Sequence, residues 1–531
     1  MTERANGSGA APAGDRDPVH VGAHASRNPE KPASIEAKTD IVRTYAQLED
    51  RSARLAHVLA AAGIEEGGHI AMLLGNQLEC FDVGWAAKRS GLYLTPVNWH
   101  LTAAEAGYII ADSGAQALVS SPDLCDLAQP ETLQLVSPAL RLVTGEDGGT
   151  PAGFERLEAV LQTASPDPVR PELEGALMFY SSGTTGRPKG IRHPWTPTPY
   201  GTGFSLELLM AGFYGFDADT VYLSPAPLYH AAPLAWSLGT QRLGGTVIVM
   251  ERFDPLDMLR MIEKYRVTHV QMVPTMFVRL LKLEDKDRQR FDLSSLQRVI
   301  HAAAPCPIEV KRRMLDWWGP IIYEYYAASE GHGFTSVSPD EWLAHPGSVG
   351  RPLRGTIHIL DEDGAELPNG EIGTVYFEGS AGFEYHNDPV KTSEAYNVEG
   401  WATVGDLGSI DNEGYLYLSD RRTNLILSGG VNIYPQEIEN ELALHPEVVD
   451  VAVIGVPDSE MGQQVKAIVQ PTDPSTAGPE LEAELLGFCR ERIAHFKCPR
   501  SVDFVDELPR LPTGKLAKRL LVDRYSGSTS H

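Results

Sequence analysis

Hydrophobic and polar residues in the first half of the chain alternate between two spacings, one typical of helices and one typical of buried strands. Residues 45–62 carry apolar side chains at helical spacing, and residues 70–74 form a short apolar run. The same alternation predicts a strand at 245–250, a helix at 255–265 and another strand at 268–273. Strands that alternate with helices in this way favour an α/β fold with parallel or mixed sheets.

The second half of the chain has a different texture. From about residue 356 short strands are separated by turns, as at 357–364 and 373–379, which indicates a small β-rich subdomain. The part after residue 424 is predicted to fold as a separate lid. Its predicted elements are a strand at 449–456, a polar loop at 471–479, a helix at 481–494 and a last helix at 515–525.

Length and charge limit the kinds of protein and partner. The chain has 531 residues, 42% of them hydrophobic, so we expect two or more domains with sizeable cores. Asp and Glu number 71 against 45 Lys and Arg, and the net charge of -26 argues against nucleic acid or an anionic membrane surface as the main partner. No run of about twenty apolar residues occurs, so no transmembrane segment is expected.

Cysteine usage and the first residues bear on the compartment. The five cysteines lack the Cys-x-x-Cys spacing of a zinc or redox site, and we expect reduced thiols in the cytoplasm. Residues 1–16 lack the apolar centre of a signal peptide and are predicted to be a disordered tail.

Residues 180–190 read Tyr-Ser-Ser-Gly-Thr-Thr-Gly-Arg-Pro-Lys-Gly and follow an apolar run, 177–180, that predicts a buried strand. Gly183 and Gly186 allow the backbone to approach phosphate oxygens closely. The pattern is not a Walker loop, because the lysine precedes its glycine. It predicts a loop around nucleotide phosphates; a solvated turn is the alternative interpretation. Side chains that offer donors or charge are Ser181, Ser182, Thr184, Thr185, Arg187 and Lys189.

Further segments follow this loop in a recognisable order. They are Pro-Leu-Tyr-His-Ala at 227–231, Tyr-Glu-Tyr-Tyr-Ala-Ala-Ser-Glu-Gly at 323–331, Gly-Ser-Val-Gly-Arg-Pro at 347–352, Trp-Ala-Thr-Val-Gly-Asp at 401–406, Asp-Arg-Arg-Thr-Asn at 420–424, Ser-Gly-Gly-Val-Asn-Ile-Tyr-Pro at 428–435 and Pro-Arg-Leu-Pro-Thr-Gly-Lys at 509–515. The ordered set resembles the adenylate-forming superfamily of acyl-CoA synthetases, aryl-CoA ligases, adenylation domains and beetle luciferases, and is most like fatty-acyl-CoA synthetases.

The resemblance spans roughly residues 20–523 and implies a domain organisation. We expect a large α/β N-terminal domain with mixed or parallel sheets and a β-barrel-like subdomain, followed by a small mobile α+β domain. The expected boundaries are a tail at 1–16, an AMP-binding domain at 17–421, a hinge at 422–424 and a C-terminal domain at 425–531.

The resemblance also assigns the nucleotide site. Glu330 resembles the ligand of Mg²⁺, with Ser329 beside it, and Tyr326 resembles the ring that stacks on adenine. Ala302 and Ala303 lie in the segment that packs against the base, although ordinary core packing is an alternative for both. Two more residues complete the implied ATP site, the ribose-binding carboxylate Asp406 and Arg421, which contacts ribose or phosphate.

Two residues are assigned to catalysis in the same way. Lys515 resembles the lysine that neutralises charge when a carboxylate attacks the α-phosphorus of ATP. His230 resembles the residue that lies beside the substrate carboxylate, although a single histidine is more often structural. No general base is required, because the acid is already ionised at neutral pH.

The second half-reaction needs a thiol. Gly429 and Gly430 resemble the loop that lines the tunnel for the pantetheine arm, and Lys497 and Arg500 are candidates for the CoA phosphates. Two positions depart from the pattern of the superfamily. Thr423 stands at the hinge where Asp or Lys is typical, and Ala327 stands where many members have Gly at the acyl-pocket wall.

The sequence therefore predicts an ATP-dependent, AMP-forming carboxylic acid:CoA ligase, with ATP, CoA and Mg²⁺ as co-substrates and cofactor. Apolar residues after the phosphate loop favour a fatty or similarly apolar acid. The alternatives are an aryl-acid CoA ligase, an adenylating enzyme that loads a carrier protein, and a luciferase-like oxygenase or inactive relative. The oligomeric state stays open, with a homodimer among the options.

Overall fold

The computed structural model describes residues 19–128, 138–145, 150–181, 188–202, 205–421, 424–510 and 516–525. The tail predicted at 1–16 lies outside them. The helices are α1 (Val21–Arg27), α2 (Tyr45–Ala61), α3 (Glu79–Arg89), α4 (Ala103–Asp112), α5 (Leu157–Thr163), α6 (Ser205–Gly212), α7 (Ala231–Arg242), α8 (Pro255–Tyr265), α9 (Pro274–Leu281), α10 (Asp285–Arg288), α11 (Ile308–Trp318), α12 (Pro339–Ala344), α13 (Pro389–Glu394), α14 (Pro435–Leu442), α15 (Pro479–Arg490) and α16 (Lys518–Tyr525).

The strands are β1 (Pro32–Glu36), β2 (Val42–Thr44), β3 (His69–Leu73), β4 (Tyr93–Pro96), β5 (Ala115–Ser120), β6 (Leu140–Val143), β7 (Glu155–Arg156), β8 (Ala176–Leu177), β9 (Phe179–Ser181), β10 (Lys189–Arg192), β11 (Val221–Ser224), β12 (Thr246–Val249), β13 (His269–Met272), β14 (Arg298–His301), β15 (Ile322–Ala327), β16 (Phe334–Val337), β17 (Arg351–Arg354), β18 (Thr356–Leu360), β19 (Gly373–Glu378), β20 (Glu384–Tyr385), β21 (Asp406–Ile410), β22 (Leu416–Arg421), β23 (Ile426–Ser428), β24 (Val431–Ile433), β25 (Val448–Asp458), β26 (Gly462–Pro471) and β27 (Ser501–Phe504).

Two largely parallel sheets form the large N-terminal part. The nine-stranded sheet has the order β17-β16-β15-β14-β13-β11-β12-β1-β2, and the six-stranded sheet has the order β7-β6-β5-β3-β4-β8. One hydrophobic core contains residues of both sheets and of α2, α3 and α7, while α8, α9 and α11 cover the other face of the larger sheet. Both faces of the central strands are therefore covered, and β12 reads as a fully buried apolar run for this reason.

Local signals explain where the elements start and stop. The predicted helix at 255–265 is α8: the side chain of Asp254 accepts hydrogen bonds from the first turn, Pro255 occupies the first helical position, and Arg266 ends the helix at a φ of 53°. The predicted helix at 45–62 is α2, which starts with a capping box between Thr44 and Gln47. The strands predicted at 70–74, 245–250 and 268–273 are β3, β12 and β13.

The apolar run at 177–180 was predicted to be one buried strand, and this prediction was wrong. The run forms two short strands in different sheets, because β8 pairs in parallel with β4 whereas β9 pairs antiparallel with β10. Met178 between them is buried, and the rest of the run is partly exposed. The chain thus changes sheet at Met178 on its way to the phosphate loop.

The β-rich subdomain predicted after residue 356 contains a four-stranded antiparallel sheet, β18-β19-β21-β22. Its strand β20 pairs with β10 in a three-stranded sheet, β20-β10-β9, whose other two strands come from the earlier part of the chain. The C-terminal part has its own sheet, β24-β23-β26-β25, to which β27 adds in parallel. Apolar residues cover both faces of this sheet, with α14 and α15 on one side and α16 on the other.

Two helix limits in the C-terminal part differ from the prediction. The helix predicted at 481–494 is α15, which ends at Arg490, and the Lys497 and Cys498 N–H groups then donate to Ala494 and His495 in a separate turn. The last helix begins at Lys518 rather than 515. Leu516 pairs with Arg510 and the Ala517 N–H donates to the Pro509 carbonyl, so these two residues lie outside the helix.

Candidate active site

The carboxyl ends of the parallel strands in the nine-stranded sheet bring the predicted site residues together. β14 ends at His301 and leads into Ala302 and Ala303, and the neighbouring β15 ends at Ala327. Open α/β sheets usually bind ligands in the crevice outside the carboxyl ends of their parallel strands. Ala303 has a φ of 73°, which costs an L-residue about 1–2 kcal/mol and marks a constrained turn.

A hydrogen bond joins the two residues assigned to the adenosine of ATP. The Tyr326 hydroxyl donates to Asp406 Oδ2 at 2.7 Å, although the two residues belong to different sheets. Arg421 lies directly opposite Asp406 in the β21–β22 pair; its side chain lies outside the described part of the chain. The buried His332 ring lies next to them, with Nε2 3.4 Å from the Tyr326 oxygen, and burial lowers the pKa of His332 to about 4.

The residue assigned to Mg²⁺ lies in a second cluster. Glu330 is 9% exposed and accepts a 3.0 Å hydrogen bond from the Tyr385 hydroxyl. The Lys189 ammonium lies 5.5 Å from the centre of the Tyr385 ring and 3.8 Å from Asp388 Oδ2. Burial lowers the pKa of Lys189. Ser329, next to Glu330, is exposed, and its carbonyl accepts a hydrogen bond from His193 at 2.9 Å.

The stem of the phosphate loop is an antiparallel hairpin of β9 and β10 in which Ser181 lies opposite Lys189. The Tyr180 hydroxyl fixes the base of this stem by donating to Asp112 at 2.7 Å. The hairpin carries Lys189 into the cluster with Glu330. Predicted loop residues outside the described residues are Ser182, Gly183, Thr184, Thr185 and Gly186.

His230 lies immediately before α7, as its N-cap residue, and its ring is 4.3 Å from that of Tyr229. Two further rings, Trp99 and His100, lie 6.2 and 6.3 Å from Tyr229. Ala327 lies at the end of β15, opposite Phe334 of β16. Ala327 packs against the core that also contains Leu234 and Trp236 of α7, the helix that His230 precedes.

The residues assigned to CoA lie in the C-terminal part. Gly429 and Gly430 have φ values of 57° and 77°, and a Cβ at Gly429 would lie 2.4 Å from Met461 Cε. Only glycine suits this tight turn. Lys497 binds both carboxylate oxygens of Glu437 at 2.7 and 2.8 Å, so its charge is already compensated here, whereas Arg500 is exposed. Lys515 and Thr423 lie outside the described residues.

Comparisons with known proteins place this geometry in a family. The sequence profile of "AMP-binding enzyme" matches residues 21–384, and that of "AMP-binding enzyme C-terminal domain" matches residues 437–515. The chain belongs to the AMP-binding enzymes. Two curated relatives are a feruloyl-CoA synthase of Amycolatopsis sp, 34% identical over 90% of this chain and 92% of the relative, and the long-chain-fatty-acid--CoA ligase FadD13 of Mycobacterium tuberculosis, 31% identical over 95% and 97%.

A solved structure agrees over nearly the whole length. ATP-bound MatB from Rhodopseudomonas palustris superposes with a TM-score of 0.79 at 29% identity, covering 96% of this chain and 99% of MatB. The mixed α/β architecture with a large N-terminal and a small C-terminal part is thereby confirmed. The predicted class of enzyme, an AMP-forming acid–thiol ligase, is confirmed by the curated relatives.

Sequence reasoning missed several residues of this AMP-binding enzyme that complete the clusters. Tyr385 and Asp388 hold Glu330 and Lys189, and His332 abuts Tyr326. A signal for the first two exists in the segment Tyr-His-Asn-Asp-Pro at 385–389, where Asp388 caps α13 and Pro389 starts it. No sequence pattern links this segment to residues 189 and 330, because the pairing is long-range.

The donor set fits a magnesium ion that is held mainly by a substrate. Among the described residues, no three His, Cys, Asp or Glu side chains cluster so as to hold a metal ion. Glu330 supplies one nearly buried carboxylate, and Mg²⁺ in nucleotide sites uses one or two carboxylates together with phosphate oxygens.

None of the described helices combines the length and apolarity needed to cross a membrane.

Proposed function

We propose that the protein is an ATP-dependent carboxylic acid:CoA ligase that forms an acyl-adenylate and pyrophosphate and then an acyl-CoA and AMP. The observation that carries the proposal is the Tyr326–Asp406 hydrogen bond beside the turn at Ala302 and Ala303, in a chain of the AMP-binding enzyme family. A flat aromatic ring and a carboxylate held together suit adenine and the ribose hydroxyls, respectively.

In the first half-reaction the substrate carboxylate attacks the α-phosphorus of ATP, a P–O bond forms, and the bond to pyrophosphate breaks. Negative charge then grows on phosphate oxygens. We propose that Lys189, on the stem of the phosphate loop, and Lys515 neutralise this charge, while His230 orients the carboxylate. The remaining loop donors are Ser181, Ser182, Gly183, Thr184, Thr185 and Gly186.

Glu330 would hold Mg²⁺, and Tyr385 would keep the carboxylate of Glu330 in place. A magnesium ion bound there would withdraw charge from the phosphate oxygens. Asp388 and the Tyr385 ring hold the Lys189 ammonium near the tyrosine that binds Glu330, so the cation and the carboxylate belong to one cluster.

In the second half-reaction the CoA sulfur attacks the acyl carbon, and the bond to AMP breaks. The turn at Gly429 and Gly430 has the backbone freedom to approach a thin pantetheine arm. Arg500 is the better candidate of the two basic residues for a CoA phosphate, because it is exposed whereas Lys497 is paired with Glu437.

We propose that the two half-reactions are separated by rotation of the C-terminal part about Thr423, within a hinge at 422–424 between units at 17–421 and 425–531. The C-terminal part has a hydrophobic core on each face of its own sheet, which suits a body that moves as a unit. Asp420 accepts hydrogen bonds from the Asn424 side chain and the Gln436 N–H, so it connects the end of β22 with the hinge residue Asn424 and with the first turn of α14.

The acid is proposed to be a fatty or other apolar carboxylic acid in fatty acid metabolism. Leu209, Phe213 and Tyr214 are partly or fully buried in the same apolar core as Trp236 of α7, and the Tyr214 ring lies 5.3 Å from that of Trp236. The five cysteines are free, which supports a reducing compartment such as the cytoplasm.

The test is a pair of assays on the purified enzyme. We expect acid-dependent exchange of pyrophosphate into ATP and CoA-dependent release of AMP. Replacing Lys515→Ala should lower the exchange rate by about 100-fold or more, because an ammonium aimed at developing charge contributes several kcal/mol. The melting temperature should not change.

Arg519→Ala provides a matched control, because this nearby basic residue is exposed and lies 3.9 Å from Asp523 in a surface ion pair of the C-terminal part. It should leave the exchange rate within about twofold. Exchange by Lys515→Ala at the wild-type rate would contradict the role of the lysine. Absence of exchange with every acid, in folded and magnesium-replete enzyme, would contradict the function.

A further inference from the structure

The C-terminal end of α4 lies against the hairpin that carries the phosphate loop. Asp112 is the last residue of this helix, which packs on β3 and β5 of the six-stranded sheet. The Asp112 carboxylate accepts a hydrogen bond from the Tyr180 hydroxyl, with Oδ2 2.7 Å from the phenol oxygen. Burial, and after it the neighbouring carboxylate, raises the pKa of Tyr180, so the phenol keeps the proton that it donates. The stem of the loop is thus tied to a helix of the other sheet.

The same helix end binds a second segment, which continues from β20. The Asp112 carbonyl accepts hydrogen bonds from His386 Nε2 at 3.0 Å and from Asn387 Nδ2 at 3.3 Å. Asp112 Oδ1 accepts from the same amide of Asn387 at 3.4 Å. The last carbonyls of a helix have no partner within the helix, so they are available to such donors.

Asn387 has a strained backbone at this contact. Its φ is 58°, a left-handed conformation that costs an L-residue about 1–2 kcal/mol. Such a conformation persists where the surrounding contacts impose it, and the hydrogen bonds from Asn387 to Asp112 are contacts of this kind. The path of the segment 385–388 is therefore set in part by Asp112.

The stem and the second segment meet at Gly190. The His386 N–H donates to the Gly190 carbonyl at 2.7 Å, and a Cβ at Gly190 would lie 3.0 Å from both His386 Cβ and Tyr180 Cζ. A residue without a side chain is needed for this close approach. Asp112 thus binds two segments that also pack directly on each other.

Both segments supply the cluster that is proposed to face the phosphates of ATP. Lys189 belongs to the stem, and its ammonium lies 5.5 Å from the centre of the Tyr385 ring and 3.8 Å from Asp388 Oδ2. Tyr385 and Asp388 flank the two residues that Asp112 binds. Tyr385 also donates to Glu330, the proposed ligand of Mg²⁺. Asp112 therefore fixes the surroundings of the cation and of the carboxylate from one place.

We propose that Asp112 is a positioning residue for adenylation. It holds the stem of the phosphate loop and the segment 385–388 in a fixed relation, and it thereby places Lys189 and Glu330 for the β- and γ-phosphates of ATP. This inference rests on the proposed function as an ATP-dependent ligase and adds to it a residue that does not touch the substrates.

The adenosine part of the nucleotide is proposed to bind elsewhere. Tyr326 and Asp406 lie on β15 and β21 and form a hydrogen bond with each other. Removal of the Asp112 carboxylate should therefore weaken the binding of ATP and leave the binding of AMP. A general loss of structure would weaken the binding of both.

The test compares the Kd values of MgATP and AMP, measured by isothermal titration calorimetry on the purified enzyme with no acid present. Asp112→Ala should raise the Kd of MgATP by about tenfold, because a hydrogen bond to a charged group is lost. The Kd of AMP should stay within about twofold. In the pyrophosphate exchange assay the KM for ATP should rise in parallel, while the KM for the acid stays unchanged.

Two further variants separate positioning from folding. Asp112→Asn keeps an oxygen that accepts the Tyr180 proton, so it should restore most of the affinity for MgATP. Tyr180→Phe removes the same hydrogen bond from the other side and should weaken MgATP binding in the same direction, which keeps the inference testable if Asp112→Ala does not fold. The double variant Asp112→Ala with Tyr180→Phe should bind MgATP as Asp112→Ala does, because the two residues act through one contact.

Asp123→Ala is the matched control, since Asp123 is an exposed aspartate in the turn after β5. Both Kd values of this variant should match those of the wild type.

The outcomes separate this inference from the function on which it rests. Equal weakening of MgATP and AMP, or wild-type MgATP affinity in both Asp112→Ala and Tyr180→Phe, would overturn the inference while the CoA ligase assignment stands. A wild-type enzyme that binds MgATP but exchanges pyrophosphate with no acid would overturn the assignment and leave the role of Asp112 in nucleotide binding intact.

Discussion

At the scale of single residues, the proposed adenosine site depends on one hydrogen bond between residues that are distant in the chain. The Tyr326 hydroxyl fixes Asp406 Oδ2 at 2.7 Å, and His332 fills the space behind the phenol. A carboxylate oriented before the ribose arrives loses less conformational freedom on binding. The phenol thus has a role beyond providing a ring for adenine.

Replacing Tyr326→Phe should raise KM for ATP by about five- to tenfold, because the ring is kept while the hydrogen bond to Asp406, worth about 1 kcal/mol, is lost. The change in kcat should be smaller than the change in KM, since the reacting phosphorus is not touched. Pyrophosphate exchange at varied ATP concentration measures both constants.

Tyr417→Phe is the control for this prediction, because Tyr417 donates to Asp411 Oδ2 at 3.2 Å in the same β-rich subdomain but away from the site. Its KM for ATP should match the wild type. If Tyr326→Phe also matched the wild type, the phenol would have no part in ordering the nucleotide site.

Residues of the site could be predicted where the sequence resembles a known segment. They could not be predicted where only long-range contacts in the folded chain bring them together. Ala302 and Ala303 were assigned to the adenine-binding segment by the resemblance alone, and the left-handed φ of Ala303 was not predicted, since alanine rarely adopts it. Tyr385 and Asp388 were missed because their partners Glu330 and Lys189 are remote in sequence.

At the scale of elements, periodicity predicted helices and buried strands well. α2 and α8 were found within a residue of their predicted ends, because capping residues mark their starts. The prediction of one strand at 177–180 was wrong, because a short apolar run does not indicate which sheet each of its residues joins. The switch at Met178 depends on tertiary pairing, which a single-sequence pattern does not contain.

A glycine in the motif at 347–352 has a packing role that the structure explains. Gly350 has a φ of 95°, and a Cβ there would lie 2.0 Å from the Ser336 carbonyl oxygen. Gly350→Ala should therefore destabilise the junction of β16 and β17 by about 2–4 kcal/mol, from backbone strain and overpacking together. A fall in melting temperature would show this.

Gly212→Ala offers the contrast, because Gly212 ends α6 without a left-handed φ, and a Cβ at this position would meet no heavy atom within 4 Å. Alanine at this exposed position should be neutral or slightly stabilising, by up to about 1 kcal/mol. Equal melting temperatures for the two variants would show that the close approach at Gly350 does not destabilise the Gly350→Ala variant.

At the scale of the whole molecule, several buried histidines must stay neutral for the chain to fold. Burial lowers the pKa of His69, His269 and His332 to about 4, and that of His301 well below its usual value. They lie in both sheets of the N-terminal part or beside them. In the unfolded chain each has a pKa near 6.5, so between pH 6.5 and 4 the unfolded state binds more protons than the folded state.

Stability should therefore fall as the pH is lowered from 6.5 towards 4, by about 2 kcal/mol for each fully buried histidine at pH 5. Protonation of Asp82, Glu324 and Glu439, whose pKa values are raised by burial, acts in the opposite direction, so the informative quantity is a difference between variants. His269→Gln should lose less stability than the wild type between pH 7 and pH 5.

Melting temperatures measured at several pH values would give this difference for His269→Gln and for the control His495→Gln, whose histidine is exposed. The control should follow the wild-type curve. The difference between His269→Gln and the wild type should change steadily as the pH falls, since only the wild type must exclude a proton from that position. A difference that is constant with pH would mean that His269 contributes to stability through packing alone, and that the acid sensitivity of the molecule originates elsewhere.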